Sequence, residues 1–182
     1  MNETSLYQHL MQRDFEALEP EVRQFHALRG HVRLQGRCLT RGPRNPLARL
    51  LARVMRLPGR SGESALTFEL IAEARRESWI RHFPSCCMRS VLCADGDRLV
   101  ERLGPARLYF RLRRIEGRLD MQLLGVRVFG VPWPRFLSPT VHAREHGRDR
   151  QFHFDVATSM PWIGHVVAYS GHLDLNSAER LS

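Results

Sequence analysis

The sequence contains no lysine, and all 28 of its basic residues are arginine. With 19 acidic residues, the arginines leave a formal net charge of +9 and a pI near 10.8. An excess of this sign suits a polyanionic partner, either nucleic acid or an anionic membrane surface. The arginines are scattered from Arg13 to Arg180, however, so a compositional bias toward arginine explains the basic character without any partner. We favour the compositional interpretation.

Cysteines and long apolar runs are also scarce. Four cysteines are too few for a disulfide scaffold, and no Cys-x-x-C pair occurs. We therefore expect free thiols in a cytoplasmic protein. The first residues lack the basic and apolar stretches of a secretory signal. The longest segment without Asp, Glu or Arg, residues 156–173, contains Pro161 and Gly164, so we expect no transmembrane segment. The cysteines are Cys38, Cys86, Cys87 and Cys93.

The common catalytic motifs are absent: the sequence has no phosphate-binding loop, dinucleotide fingerprint, His-Glu-x-x-His motif or Gly-x-Ser-x-Gly elbow. Nine histidines raise the alternative of a metal site, with His142, His146, His153 and Asp155 as candidates. In a strand, residues i and i+4 lie about 13 Å apart, so His142 and His146 cannot bind one ion together. We expect no metal and no cofactor, and favour binding over enzymatic activity.

Apolar periodicity divides the chain into a helical beginning and a strand-rich remainder. Residues 1–30 have the pattern of helices, the second of which starts at Pro20 and carries Val22, Phe25 and His26. The alternation from His31 to Thr40 predicts a half-exposed strand. Residues 46–57 then form an amphipathic helix that either covers the sheet, as core or lid, or lies on an anionic membrane. We favour the core or lid.

From residue 64 onward, turn signals recur about every ten residues, as in an antiparallel meander. Residues 31–175 should therefore form one long antiparallel sheet that curls into an open or partly closed barrel, followed by a polar tail at residues 176–182. The 43% apolar content excludes a mainly disordered chain. We predict a single α+β domain over residues 1–182, whose helices pack on the concave face or at the mouth of the curl and leave room for a cavity.

Several short strings have a family-specific character. They include Phe25-His26, Pro46-Leu47-Ala48, Arg98–Pro105, Phe152-x-Phe154-Asp155-Val156 and Tyr169-x-Gly171. On these strings the chain resembles, over nearly its whole length, a bacterial family known only as domain of unknown function 4166. The resemblance implies a bacterial protein, in some cases fused to larger oxidoreductase-like chains. It implies no catalytic residue.

Basic and aromatic residues alternate in the segment Arg107–Arg114, a pattern found on sheets that stack nucleic-acid bases. Only Tyr109 shares the arginine-bearing face, and the glycines of an RNA-recognition motif are missing. We therefore expect a solvated cationic face and no nucleic-acid partner.

The most informative polar residue is Glu145, which shares a strand face with Val141 and Ala143. With two-residue turns at Arg148-Asp149 and Met160-Pro161, Glu145 lies in one cross-strand row with Phe152 and Tyr169, and His165 is two rows away. A carboxylate on this apolar face must be paired, hydrogen-bonded or protonated. It is either an anchor for a ligand or a structural residue bonded to a neighbouring Arg or Tyr. A turn one residue longer would reverse its face.

These patterns favour non-catalytic binding of an apolar or amphipathic, lipid-like small molecule inside the curl. The candidate site residues are Glu145, Tyr169, His165, Phe152 and Phe154. One alternative is an enzyme that uses Glu145, Tyr169 and His165. Another is a basic interaction protein that makes weak peripheral contact with a membrane. The sequence leaves the ligand and the oligomeric state open.

Overall fold

A computed structural model describes residues 4–181 of the chain. The helices are α1 (Leu6–Met11), α2 (Arg13–Glu16), α3 (Pro20–His26) and α4 (Pro46–Val54), and Arg135–Leu137 form a 3-10 turn. The strands are β1 (Gly30–Arg41), β2 (Gly62–Ala72), β3 (Arg76–Phe83), β4 (Cys86–Asp95), β5 (Arg98–Leu103), β6 (Ala106–Ile115), β7 (Arg118–Val128), β8 (Val131–Pro132), β9 (Thr140–Arg148), β10 (Gln151–Met160) and β11 (Gly164–Arg180).

Ten of these strands form a closed antiparallel barrel. Their order is β6-β5-β4-β3-β2-β1-β11-β10-β9-β7, and β7 also pairs with β6. Closure is possible because β7 pairs with β6 on one side and, from Leu119 to Gln122, with β9 on the other. The predicted antiparallel sheet with a few helices is confirmed, whereas the expected open or partly closed curl is wrong. A closed barrel leaves no long strand edge exposed.

The N-terminal helices close one end of the barrel. Ser5 and Gln8 form a capping box that starts α1. The Glu19 amide donates to the Gly117 carbonyl oxygen (2.8 Å), and the Glu19 carboxylate accepts from the Gly147 amide (2.5 Å). We call the end of the barrel that these helices close the helical end. The predicted helices are confirmed between Leu6 and His26, and residues 1–3 lie outside the described part of the chain.

The inserted helix α4 lies at the opposite end, which we call the mouth; the connections 129–139 and 161–163 lie there too. Asn45 caps α4 and Pro46 occupies its first turn. The helix ends three residues earlier than predicted, because Arg56 adopts a positive φ of 54°. It packs through buried Ala48 and Ala52, whose small side chains allow close approach to the barrel. None of the helices in residues 4–181 is long and apolar enough to span a membrane.

The polar C-terminal segment is a strand and not the expected tail. β11 continues to Arg180, which pairs with Val32 after an irregular stretch between Asp174 and Glu179. The Ser177 hydroxyl supports this stretch: it accepts from the Gln35 amide (2.8 Å) and donates to the Asp174 carbonyl oxygen (2.6 Å). Polar composition alone therefore misled the prediction for residues 176–180, because on the outer wall of a barrel polar side chains are compatible with a strand.

Candidate functional site

The helical half of the barrel is filled by aromatic packing. The rings of Phe25 and Phe152 stack with centroids 3.9 Å apart, and Tyr7 stacks on His26 at 3.6 Å. Trp79 meets the edge of Phe25 at 5.8 Å. A void of about 30 Å³ remains beside this cluster, with room for about one water molecule. The helical half therefore forms a closed floor.

His26 and Glu145 form a buried polar pair within this floor. Nε2 of His26 lies 2.6 Å from Oε2 of Glu145, and both side chains are almost inaccessible. Nδ1 of His26 and the hydroxyl of Tyr7 are buried and have no hydrogen-bond partner in residues 4–181. The contact links α3 to β9 and satisfies one carboxylate oxygen of Glu145. Glu145 thus has the bonded arrangement expected of a structural residue, with a histidine as its partner.

A second buried acid, Glu77, lies close to the same cluster. Its Oε2 accepts a hydrogen bond from Nε1 of Trp79 at 2.8 Å. Burial raises the pKa of Glu77, an effect opposed by the positive charge of His26 and by the Trp79 hydrogen bond. Burial also raises the pKa of Tyr7 well above its ordinary value. The floor is thus a desolvated region in which ionisation of Glu77 and Tyr7 is disfavoured.

The mouth half of the barrel holds an apolar cavity of about 330 Å³, hereafter the mouth cavity. α4 forms one side, and strands β6, β7 and β11 form much of the wall. Its volume falls within the usual range for small-molecule sites. Representative lining residues are Leu51, Met55, Leu108, Val126, Val167 and Phe129.

Few polar groups reach the mouth cavity, and the most buried of them is Tyr169. This residue also lines the small void beneath the cavity. Its hydroxyl makes no hydrogen bond to any other residue between 4 and 181. Burial raises the pKa of Tyr169 to about 12, although the positive charge of Arg81 acts in the opposite direction. A neutral hydroxyl is therefore available to a ligand at neutral pH.

Arg81 and Glu101 lie at the junction between the mouth cavity and the void. Arg81 is buried, donates to the Ser90 hydroxyl (3.2 Å) and lies 3.9 Å from a Glu101 oxygen. Its guanidinium carbon is 4.9 Å from the centroid of Trp79. These contacts compensate a charge that would otherwise be costly inside the barrel.

The predicted face of Glu145 agrees with the structure, although the predicted pairing does not. The β9–β10 turn consists of Asp149 and Arg150, which have φ values of 52° and 62° and so suit a tight hairpin. Glu145 therefore pairs with Phe154 instead of Phe152. The turn is displaced by one residue, so the pairing shifts by two residues and every side chain keeps its face.

The pairing of β10 with β11 also differs from the prediction. Val156 pairs with Tyr169, which keeps Tyr169 inside the barrel. A register shift between Thr158 and Ser159 then places His165 opposite Ser159, and His165 is exposed. Its Nε2 lies 3.0 Å from the carbonyl oxygen of Arg41. The predicted grouping of His165 with Glu145 and Tyr169 is therefore not assembled.

The remaining candidate residues divide between the two halves of the barrel. Tyr169 lines the mouth cavity, whereas Glu145, Phe152 and Phe154 line only the small void. Sequence reasoning missed the role of Arg81. Its position was available from the sequence, because Arg81 lies two residues from both Trp79 and Phe83 and shares the inward face of β3 with them. Sequence reasoning also noted His26 only as part of an apolar helix face, without its carboxylate partner.

Histidines 146, 153 and 172 form a row across the outer wall of β9, β10 and β11. The ring centroids of His146 and His153 are 4.9 Å apart, and those of His153 and His172 are 5.5 Å apart. Burial and the neighbouring positive charges lower the pKa of His153. Across residues 4–181, no group of three or more His, Cys, Asp or Glu side chains is arranged to hold a metal ion.

Tyr109, the aromatic residue on the arginine-bearing face of the basic segment, is flanked by two of the protein's own guanidinium groups. The guanidinium carbons of Arg98 and Arg127 lie 5.5 and 5.9 Å from its ring centroid. The ring is half-buried, so these cations compete with any base for its surface.

Comparison with known proteins agrees with the resemblance noted from the sequence. A family model described as "Domain of unknown function (DUF4166)" matches residues 18–173. The matched range runs from the start of α3 to β11 and includes the residues of the floor from α3 onward and those of the mouth cavity. No curated protein matches the chain. Because the family model covers most of the chain, the protein belongs to the DUF4166 family.

Proposed function

We propose that the protein binds an apolar or amphipathic, lipid-like small molecule in the mouth cavity. The observation that supports this most strongly is a cavity of about 330 Å³ whose lining is almost wholly aliphatic and aromatic. Unfilled apolar space in a core is destabilising, so its presence next to a tightly packed floor suits a ligand site.

The ligand's polar group bonds to the hydroxyl of Tyr169, which lines the mouth cavity and makes no hydrogen bond within residues 4–181. Arg81 and Glu101 lie close by and set the electrostatic environment of that group. The closed floor limits the depth of the site. It includes Glu145, Phe152 and Phe154, which line the small void beneath the mouth cavity.

Binding without catalysis fits these groups best. A tyrosine with a pKa of about 12 is a poor proton shuttle at neutral pH, and Arg81 and Glu101 neutralise each other. The enzymatic alternative needed His165, which is exposed on the other face of the sheet. The four free cysteines suit a reducing compartment, and a cytoplasmic location is part of this proposal.

The proposal is tested by native mass spectrometry of gently purified protein and by titration with the apolar dye phenylnaphthylamine. We expect a small apolar adduct and saturable dye binding with one site per chain. Val156→Trp places a large side chain inside the barrel, where Val156 lines the mouth cavity, and should abolish dye binding. Ala157→Trp adds the same ring on the outer wall and is the matched control. Equal dye binding by both variants would contradict the proposal.

A further inference from the structure

The most exposed apolar side chains of the described residues gather at the mouth. Trp162 is 90% exposed and Phe129 is 84% exposed, whereas large apolar side chains are usually buried. The others lie in the same connections or on α4. The six most exposed large apolar residues are Trp162, Phe129, Phe136, Val131, Leu47 and Leu50. Together they form an apolar rim around the mouth cavity.

The connections at the mouth carry charge of one sign. Its five connections, residues 42–61, 84–85, 104–105, 129–139 and 161–163, contain six arginines and no Asp or Glu. None of the six makes an ion pair within residues 4–181. The mouth arginines are Arg44, Arg49, Arg53, Arg56, Arg60 and Arg135.

The helical end has a different charge distribution. Each of its four strand connections carries an acidic residue. These residues are Glu73, Asp97, Glu116 and Asp149. The arginine excess is scattered along the sequence, but the fold brings together at the mouth five connections that contain no acidic residue. Compositional bias explains the number of arginines and does not explain this separation.

The helix α4 lies between a basic groove and the mouth cavity. The groove, of about 570 Å³, is lined by Arg49, Arg53, Arg56 and Arg60 together with Ser85. On its other side α4 contributes Leu51 and Val54 to the mouth cavity. Cationic and apolar surfaces thus meet along a single short helix, as they do on helices that lie in a bilayer interface.

We propose that the mouth docks on the surface of an anionic phospholipid bilayer, with the apolar rim inserted among the acyl chains and the mouth arginines on the lipid phosphates. This inference rests on the proposed function, because it makes the bilayer the source or destination of the cavity's ligand. Anionic headgroups complement the arginines, and the acyl region takes up Trp162 and Phe129.

Two other binding partners, a second copy of the chain and a nucleic acid, would complement only part of the mouth surface. A second copy docked mouth to mouth would oppose six arginines with six arginines, which is unfavourable. A nucleic acid would neutralise the arginines but would leave the aliphatic residues Leu47, Leu50 and Val131 without an apolar environment.

Flotation with vesicles of phosphatidylcholine, with and without phosphatidylglycerol, tests the docking. We expect binding to the phosphatidylglycerol vesicles, little binding to phosphatidylcholine alone, and a blue shift of Trp162 emission on binding. Two double variants should each lower the partition coefficient by about tenfold or more. One combines Arg53→Glu with Arg56→Glu, and the other combines Phe129→Ser with Trp162→Ser. Circular dichroism establishes that each variant is folded.

Two matched controls carry the same substitutions elsewhere. Arg111→Glu with Arg113→Glu changes two exposed arginines on the wall of β6, and Ile115→Ser removes an exposed apolar side chain at the helical end. Both should bind vesicles as the wild type does. Equal loss in these controls, absence of vesicle binding, or equal binding to both lipid compositions would overturn the docking surface.

Further outcomes separate this inference from its alternatives. A dimer that Phe129→Ser with Trp162→Ser dissociates would show that a second copy covers the rim. Oligonucleotide binding tighter than vesicle binding, weakened by the glutamate variant alone, would show a nucleic-acid surface. Val156→Trp should lose the dye and keep vesicle binding, because it leaves the mouth surface unchanged. Vesicle binding without dye uptake by the wild type would support docking and refute the cavity ligand.

Discussion

Nε2 of His26 and Oε2 of Glu145 lie 2.6 Å apart inside the barrel and connect α3 to β9. Both groups are withdrawn from water, so neither has a solvent alternative if the other is removed. The pair therefore links the helical end to the barrel wall and fixes the floor beneath the mouth cavity.

Glu145→Leu and His26→Leu should each destabilise the protein by about 3 kcal/mol, because each leaves a buried polar partner unpaired. The double variant removes both groups and should cost less than the sum, with a coupling energy of about 1–3 kcal/mol. Urea unfolding of the four proteins measures this cycle. Additive effects would show that the contact contributes no stability. Glu145→Gln should be milder than Glu145→Leu, since its amide oxygen can still accept from His26.

Glu77 should make stability depend on pH in the direction opposite to that of an ordinary ion-paired acid. Its folded pKa lies above the ordinary value of 4.5, so its contribution is fully present below pH 4.5 and is lost as the pH rises through the folded pKa. Glu77→Gln cannot ionise, and its amide oxygen can still accept from Trp79. We expect the variant to gain stability relative to the wild type as the pH rises above 4.5. Exposed Glu73→Gln is the control and should show no such trend in urea unfolding.

The register around Glu145 shows that the sequence predicts which side chains face the barrel interior but does not predict which residues pair. Alternation of apolar residues correctly placed Glu145 and Tyr169 inside the sheet, because the errors in turn position shifted the pairings by even numbers of residues. The prediction for His165 was wrong because a bulge in β11 inserts one extra residue, Val166, opposite the step from Thr158 to Ser159, and reverses the face of β11 beyond it. Bulges depend on packing across the whole barrel and leave no clear local pattern.

The mouth cavity itself was harder to predict from the sequence. The helix at Pro46 is predicted by its amphipathic periodicity, and as a core or lid it would cover the sheet with its apolar face. The fold instead buries Ala48 and Ala52 and exposes Leu47 and Leu50. Which face of a helix packs depends on the shape of the surface beneath it, and local hydrophobicity does not determine that shape.

Cys38 should be the least reactive of the four free cysteines. It is buried, and burial raises the pKa of its thiol to about 12, whereas the thiolate is the reactive form. We expect iodoacetamide at neutral pH to modify half-buried Cys87 and Cys93 at least about a hundredfold faster. Peptide mass spectrometry of timed samples gives the order, and denatured protein, in which all four should react alike, is the control. Early modification of Cys38 would contradict the packing of β1.

The histidine row on the outer wall should reduce stability in mild acid. The folded pKa of His153 lies below its ordinary value of 6.5, so the unfolded chain binds protons more readily there. Stability is therefore lost as the pH falls from above 6.5 through the folded pKa. His153→Gln should reduce this loss in thermal unfolding followed across that range. His142→Gln, an exposed change on neighbouring β9, should leave the wild-type pH dependence unaltered.

Nuclear magnetic resonance of protein with labelled valine and leucine methyl groups, titrated with a straight-chain fatty acid, tests most directly whether the mouth cavity is a ligand site. We predict saturable shifts of Val126, Val167 and Leu108, with contacts from the acyl chain to the Tyr169 ring. Shifts confined to outer-wall residues such as Leu39 and Leu124, or no saturable change at all, would contradict ligand binding in the barrel.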